Sequence, residues 1–315
     1  MTPIETLLAT PRPFLTDGGL ETTLFFVDGF DAPAFAAIVL LDDPAARAAM
    51  TRYFDRFLAT AATAGTGFVL DTCTWRGALR WAPQLGRSAE DMSRLNREAV
   101  RFARGIRARW QGRVTPILIN GVVGPSGDGY RPEALLAPDA AAAIHAPQIA
   151  ELAAEGVDLI SAITMTHVGE AVGIVRAAGA AGLPVVVSFT VETDGRLPGG
   201  ETIATAIAQT DAATGGAPLY YMVNCAHPEH FRGALAGGEA WVGRIGGLRA
   251  NASRLSHAEL DAATELDDGD PEEFGRLHAE LARLVPGLRV VGGCCGTDHR
   301  HVGCVSHHLH AGVAA

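Results

Sequence analysis

The sequence contains no lysine, and all 25 of its basic side chains are arginine. That absence excludes lysine Schiff-base chemistry, pyridoxal phosphate anchoring and a P-loop phosphate site, because each needs the lysine amine. Charge is sparse at 19% of residues and net negative at −10. No run of arginines forms a basic stripe, so a nucleic-acid partner is not expected. Apolar stretches such as Pro184 to Thr190 and Leu288 to Val291 fall far short of the roughly 20 residues that cross a bilayer, and no membrane span is expected. The leading MTPIETLLATPRP has neither a basic start nor an apolar signal core, which points to a cytoplasmic protein. Cysteine is scarce too. Five in a cytosolic chain of this size do not make a disulfide scaffold, so clustering among them points to metal or catalysis.

What is present is apolar material, 48% of the chain, enough for a large core. Short β-rich runs alternate with helical patterns. The expected strands are Pro13 to Gly19, Gly67 to Thr72, Thr115 to Gly121, Asp158 to Thr164, Pro184 to Thr190, Leu219 to Cys225, Trp241 to Ala250 and Leu288 to Gly292. Helices are expected over 44–64, 88–109, 139–154, 167–180, 201–213, 227–236 and 270–285, with a last one from Asp298 to His310. Asp43-Pro44, Pro138-Asp139 and Asp270-Pro271-Glu272-Glu273 supply helix-start signals. Eight strands each followed by a helix match an α/β architecture of the (β/α)8 TIM-barrel kind, in one domain spanning 1–315. The alternative is an open doubly wound sheet, but no glycine-rich dinucleotide fingerprint follows the first strand. Two long connections, 18–43 and 122–138, fall where a barrel builds its active site.

Polar residues at the carboxyl ends of those strands ring one mouth. Cys225 ends the sixth strand in MVNCAHP, and Cys294 and Cys295 end the eighth in VVGGCCGTDH. One strand separates the two, so the thiols can converge, and Gly292, Gly293 and Gly296 permit the bend that turns both adjacent sulfurs inward. Three thiolates on a tetrahedral zinc leave one position open, the pattern of a catalytic site.

The segments DGGLETTL, GVVGPSGDGY, VSFTVETDG, VNC, RANAS and GGCCGTDHRHV resemble, in order and spacing, those of the homocysteine S-methyltransferase family, over Asp17 to His301. The resemblance implies a zinc-dependent enzyme that methylates homocysteine to methionine, with Cys225, Cys294 and Cys295 as metal ligands and Asp17 as a substrate-binding carboxylate. Its partners would be a small thiol and a small methyl donor. One departure stands out: family members carry a glutamate for the substrate ammonium near the end of the fourth strand, where DLISAITMTH places Ile163. Glu21 stands where the family has an apolar or small residue. It is either a carboxylate moved across the mouth or an N-cap or surface group of the first helix.

Further candidates are Asn224 and Asn251, whose amides orient substrate or the groups behind it or else satisfy buried backbone, Thr164 and Met165 beside Ile163, and Trp75 as an aromatic wall for a cationic donor. Cys73 lacks family support as a fourth ligand, Cys304 reads as packing, and His299, His301, His307, His308 and His310 read as a solvated tail. The acidic run from Asp261 to Glu273 reads as a loop and helix start. Competing functions are a zinc hydrolase, disfavoured by three soft thiolates and the lack of an HExxH set, a non-catalytic zinc or thiol sensor, and the thiol-activating half of a corrinoid system. S-adenosylmethionine, S-methylmethionine, betaine and dimethylsulfoniopropionate all fit as donors, and the oligomeric state, a homo-oligomer included, stays open.

Overall fold

The computed structural model describes residues 1–132 and 134–310. Eight parallel strands close into a barrel in sequence order, the last pairing with the first. They are β1 (Phe14–Leu15), β2 (Phe68–Asp71), β3 (Ile117–Val123), β4 (Leu159–Met165), β5 (Val185–Phe189), β6 (Tyr221–Asn224), β7 (Ile245–Ala250) and β8 (Val290–Gly293). Every strand residue is buried, as a parallel sheet covered on both faces demands. The helices are α1 (Pro3–Ala9), α2 (Leu20–Thr22), α3 (Pro44–Ala64), α4 (Ala89–Trp110), α5 (Pro138–Ala154), α6 (Val168–Ala180), α7 (Ile203–Thr214), α8 (Pro228–Leu235), α9 (His257–Ala262), α10 (Pro271–Leu284) and α11 (His299–His310). Sequence signals set several of their starts. Asp43 and Asp270 cap α3 and α10 with proline following, and Ser88 closes a capping box with Asp91 at α4.

Some expected boundaries move for identifiable reasons. β1 stops after two residues, although Thr16 still donates to the Val291 carbonyl, because the chain then turns into α2. The seventh strand starts at Ile245 rather than Trp241, since Ala240–Arg244 coils into a 3-10 turn. The long connection 18–43 is wound into short helical turns, Thr23–Val27 and Ala37–Asp42 among them.

The core has two layers. Strand residues pointing outward, such as Ile119 and Val123 of β3, pack against the helices, while the alternate residues Leu118 and Val122 fill the barrel with Phe14, Val69, Leu159, Val186 and Val290. Leu7 of α1, fully buried, joins that interior cluster. Above the apolar plug lies a polar layer: Asn120 donates to Asp71 at 2.7 Å, and Ser161 donates to Asn120 at 2.8 Å. Arg249 of β7 reaches across the barrel to Asp71 and, at 2.5 Å, to Asp17. This layer is the floor on which the site is built.

Two expectations about the tail are corrected. His301 is fully buried, with Nε2 on the Asp268 carbonyl at 2.7 Å, and His310 is buried against the Pro13 carbonyl at 3.1 Å. Both face inward because α11 packs between α10 and α3. His307 and His308 are exposed as expected.

Candidate active site

At the carboxyl ends of the strands opens a cavity of about 660 Å³ whose lining includes Cys225, Cys294 and Cys295. Strand β7 holds both cysteine segments: Cys225 N–H donates to the Arg249 carbonyl at 3.1 Å, and Cys294 N–H to the Ala250 carbonyl at 2.8 Å. Cys225 adopts a left-handed backbone, φ 56°, which turns its side chain off the β6 line. Gly296, φ 77°, completes the bend after the cysteine pair. Gly293 has no room for a Cβ, which would lie 1.9 Å from Thr297 Oγ1. Thr297 in turn donates through that oxygen to the Cys294 carbonyl at 2.7 Å.

The three sulfurs lie within 4.8 Å of one another, the only such cluster of potential metal ligands among the described residues. Cys225 and Cys295 are 3.6 Å apart. A tetrahedral zinc with bonds of about 2.3 Å has sulfur–sulfur edges of roughly 3.8 Å, so the donor set fits. Crowding also divides the thiols. Hydrogen bonds from Cys225 and Cys295 hold Cys294 well below the usual thiol range, while the contact with Cys294 pushes Cys225 up and those with Cys225 and Cys294 push Cys295 up.

Around the sulfurs stand groups of both kinds, singled out by sequence or missed by it. Tyr130 was missed: its hydroxyl is 3.3 Å from Cys225 Sγ and 3.8 Å from Cys295 Sγ. Its ring stacks on His257 at 4.0 Å, and His257 bonds through Nε2 to the Cys225 carbonyl at 2.8 Å and through Nδ1 to Glu192 at 2.9 Å. Arg249 was missed as well, though a lone arginine inside the apolar run IGGLRA signals a buried ion pair. Burial opposes its charge, and Asp71 and Asp17 more than offset that.

Asp17 lines the cavity, buried, where desolvation raises it to about 7 against the pull of Arg249. Glu21 also lines it and has no side-chain partner among the described residues; burial raises it to about 7, with Asp17 and Cys294 adding to the push. It is thus a group of the mouth rather than of the outer surface. Ile163, Thr164, Trp75 and Asn251 belong to the same lining, and the Asn251 amide oxygen is buried without a partner. Trp75 donates weakly from Nε1 to the Ile163 carbonyl at 3.4 Å. Met165 does not line the mouth: the left-handed turn at Thr164, φ 65°, shifts the register of β4 and sends Met165 into the core between barrel and helices.

Asn224 lies beneath the cavity, fully buried. Its oxygen accepts from Thr164 N–H at 3.0 Å and Ser188 Oγ at 2.6 Å, and its nitrogen donates to Thr164 Oγ1 at 2.8 Å and approaches Cys294 Sγ at 3.8 Å. Its amide is therefore committed to protein groups. Cys73 lines the cavity outside the sulfur cluster, its thiol pushed up to about 12 by burial, and Cys304 sits on α11 against Gly275 of α10. The acidic run does more than form a loop and start a helix, since Asp261 at the end of α9 and Glu265 and Asp267 in the connection to α10 reach the cavity rim.

Comparison with known proteins completes the picture. A family model described as homocysteine S-methyltransferase matches residues 14–309. The oxidized and metallated forms of the homocysteine methyltransferase MmuM from Escherichia coli each match with TM-score 0.74 and 20% identity, over 97% of this chain and 99% of that one. Its apo form gives 0.68 over 98% and 100%. At that identity the likeness shows the shared barrel. A search among curated proteins gives no match. The chain, by the family match over almost its whole length, belongs to the homocysteine S-methyltransferase family and is a methyltransferase.

Proposed function

We propose that the protein transfers a methyl group from a sulfonium or quaternary ammonium donor to a small thiol such as homocysteine, at a zinc ion held by Cys225, Cys294 and Cys295. The observation that carries this reading is the three-sulfur cluster, spaced for a tetrahedral ion, in the wall of a reactant-sized cavity. Zinc, when bound, supplies the positive charge that keeps a thiol ionised at neutral pH.

The remaining work falls to side chains. Tyr130 donates its hydroxyl hydrogen toward the Cys225 sulfur, which spreads thiolate charge and fixes the orientation of that ligand. Asn224 locks the end of β6 to β4 and β5 and directs an amide N–H at Cys294. Glu21 takes over the ammonium-binding task that Ile163 gave up, since it is the cavity carboxyl set back from the exposed rim that no other described residue hydrogen-bonds, and the orphaned Asn251 oxygen offers a further acceptor. Asp17, tied to Arg249 and Tyr53, shapes that wall. Trp75 presents an aromatic face, and Asp261, Glu265 and Asp267 a negative rim, for a cationic donor. In the transfer the acceptor sulfur forms the new bond to the methyl carbon as the donor carbon–sulfur or carbon–nitrogen bond breaks. The electron pair of that bond stays on the donor, whose sulfonium or ammonium centre becomes a neutral thioether or amine, and the thiol proton passes to solvent. Such a displacement needs chiefly in-line positioning.

Crossing a panel of thiols with the four candidate donors, with mass spectrometry of the products, tests the reading. A methylated thiol in at least one combination is expected. Its absence from every combination, with the metal bound, overturns the assignment.

A further inference from the structure

Arg76 follows Trp75 in the connection after β2, and its guanidinium lies between two indoles, 4.0 Å from the Trp75 ring and 3.9 Å from the Trp81 ring. Nη1 donates to the Gly127 carbonyl at 2.7 Å and the Pro125 carbonyl at 3.3 Å. The rest of the fork is uncommitted: Nε is buried without a partner, and Nη2 bonds to none of the described residues. Arg76 is only 7% exposed, yet it lines the same cavity as the cysteines. Burial pulls its pKa down to about 10, which leaves it charged at neutral pH.

A buried guanidinium whose hydrogen bonds go only to carbonyls has no direct ion-pair partner, since Asp128, Glu21 and Glu170 act on it only from a distance, and a structural staple for the 122–138 connection would need only Nη1. Indoles cover both faces of the fork. A ligand therefore reaches it in the plane of its N–H groups at Nη2, the end of the fork left open, where a carboxylate accepts a charge-assisted hydrogen bond. A phosphate fits worse, because Glu21 and Asp128 line the same cavity and repel a second negative charge. The site is continuous with the chemistry: Trp75 contacts the Ile163 carbonyl and packs beside Gly129, next to the Tyr130 that touches the sulfurs.

We propose that Arg76 is the carboxylate receptor of this cavity, so that one of the two reactants is a carboxylic acid seated in the plane of its guanidinium. The inference rests on the reading that the cavity holds the reactants, and it adds a specificity determinant opposite in sign to Glu21.

The test measures binding rather than turnover, by calorimetry on the metal-loaded protein. Homocysteine is compared with 3-aminopropane-1-thiol, which lacks the carboxylate, and dimethylsulfoniopropionate with trimethylsulfonium. One pair should show a preference of about tenfold or more for its carboxylate member, and the pair that does so names the reactant. Arg76→Gln, which retains amide donors for the loop carbonyls, should reduce the preference to below about twofold, and Arg76→Lys should keep part of it. Equal affinities within both wild-type pairs, or a preference unchanged in Arg76→Gln, would overturn the proposal, and the wild-type pairs decide even where the glutamine variant does not fold. Preference without methylated product in any combination counts against the proposed function alone. Methyl transfer without preference counts against Arg76 alone.

Discussion

Tyr130 is the residue through which the protein adjusts its sulfur cluster, because its hydroxyl touches two of the three thiols while its ring is pinned by stacking on His257. Tyr130→Phe keeps the stacking and removes one hydrogen. Zinc affinity should fall by about 10–100-fold, the usual effect of removing a partner of a metal ligand, with the unfolding midpoint little changed. Competition with a chromophoric chelator measures it. Glu21 makes a pH-dependent prediction. Because burial raises its pKa to about 7, it is neutral below that pH and a carboxylate above it, and only the carboxylate pairs with an ammonium. The kcat/KM for homocysteine should therefore rise as pH climbs through about 7, and Glu21→Gln should flatten that rise while leaving 4-mercaptobutyrate, which has no ammonium, unaffected. Equal effects on both thiols would assign Glu21 to another role.

The strands place these groups by small departures from regularity. Cys225 and Thr164 both take left-handed backbones at strand ends, and Asn224 joins the two places by bonding Thr164, Ser188 and Cys294. Asn224→Ala leaves the Thr164 N–H and the Ser188 hydroxyl without their buried acceptor. At about 1–3 kcal/mol for each of the two unsatisfied groups, the metal-free protein should lose roughly 2–6 kcal/mol in urea unfolding, and a loss under about 1 kcal/mol would remove Asn224 from its bracing role. Elements of this kind also show what can be read from the chain. The strands were legible because burial on both faces makes each a short, near-continuous apolar run, and the cysteines because they end the sixth and eighth strands, the adjacent pair between glycines. The turns wound into residues 18–43 were not, since they follow neither a strand nor a helix period. Met165 was misplaced because the turn at Thr164 that redirects it has no sequence signature; a threonine there rarely takes positive φ. Tyr130, Arg76 and Arg249 went unread because their meaning lies in partners far along the chain: Tyr130 meets Cys225 across 95 positions and Arg249 meets Asp17 across 232.

At the scale of the whole molecule, the barrel is an apolar plug below, a buried ionic layer in the middle and a mouth carrying the three-cysteine cluster above. Arg249 ties β7 to Asp71 of β2 and to Asp17 just past β1, spanning the place where the first and last strands close the sheet. Arg249→Met would leave two carboxylates buried without their cation, a change that costs about 3–5 kcal/mol. Urea unfolding should show the loss at neutral pH, shrinking as Asp17, raised to about 7 even beside Arg249, takes up a proton in acid. The central claim concerns the mouth, and zinc content of purified variants tests it most directly. Wild type, Cys73→Ser and Cys304→Ala should each carry about one zinc per chain, while Cys225→Ser and the Cys294→Ser/Cys295→Ser double variant carry almost none and form no methylated thiol. Full zinc occupancy in that double variant would contradict the account.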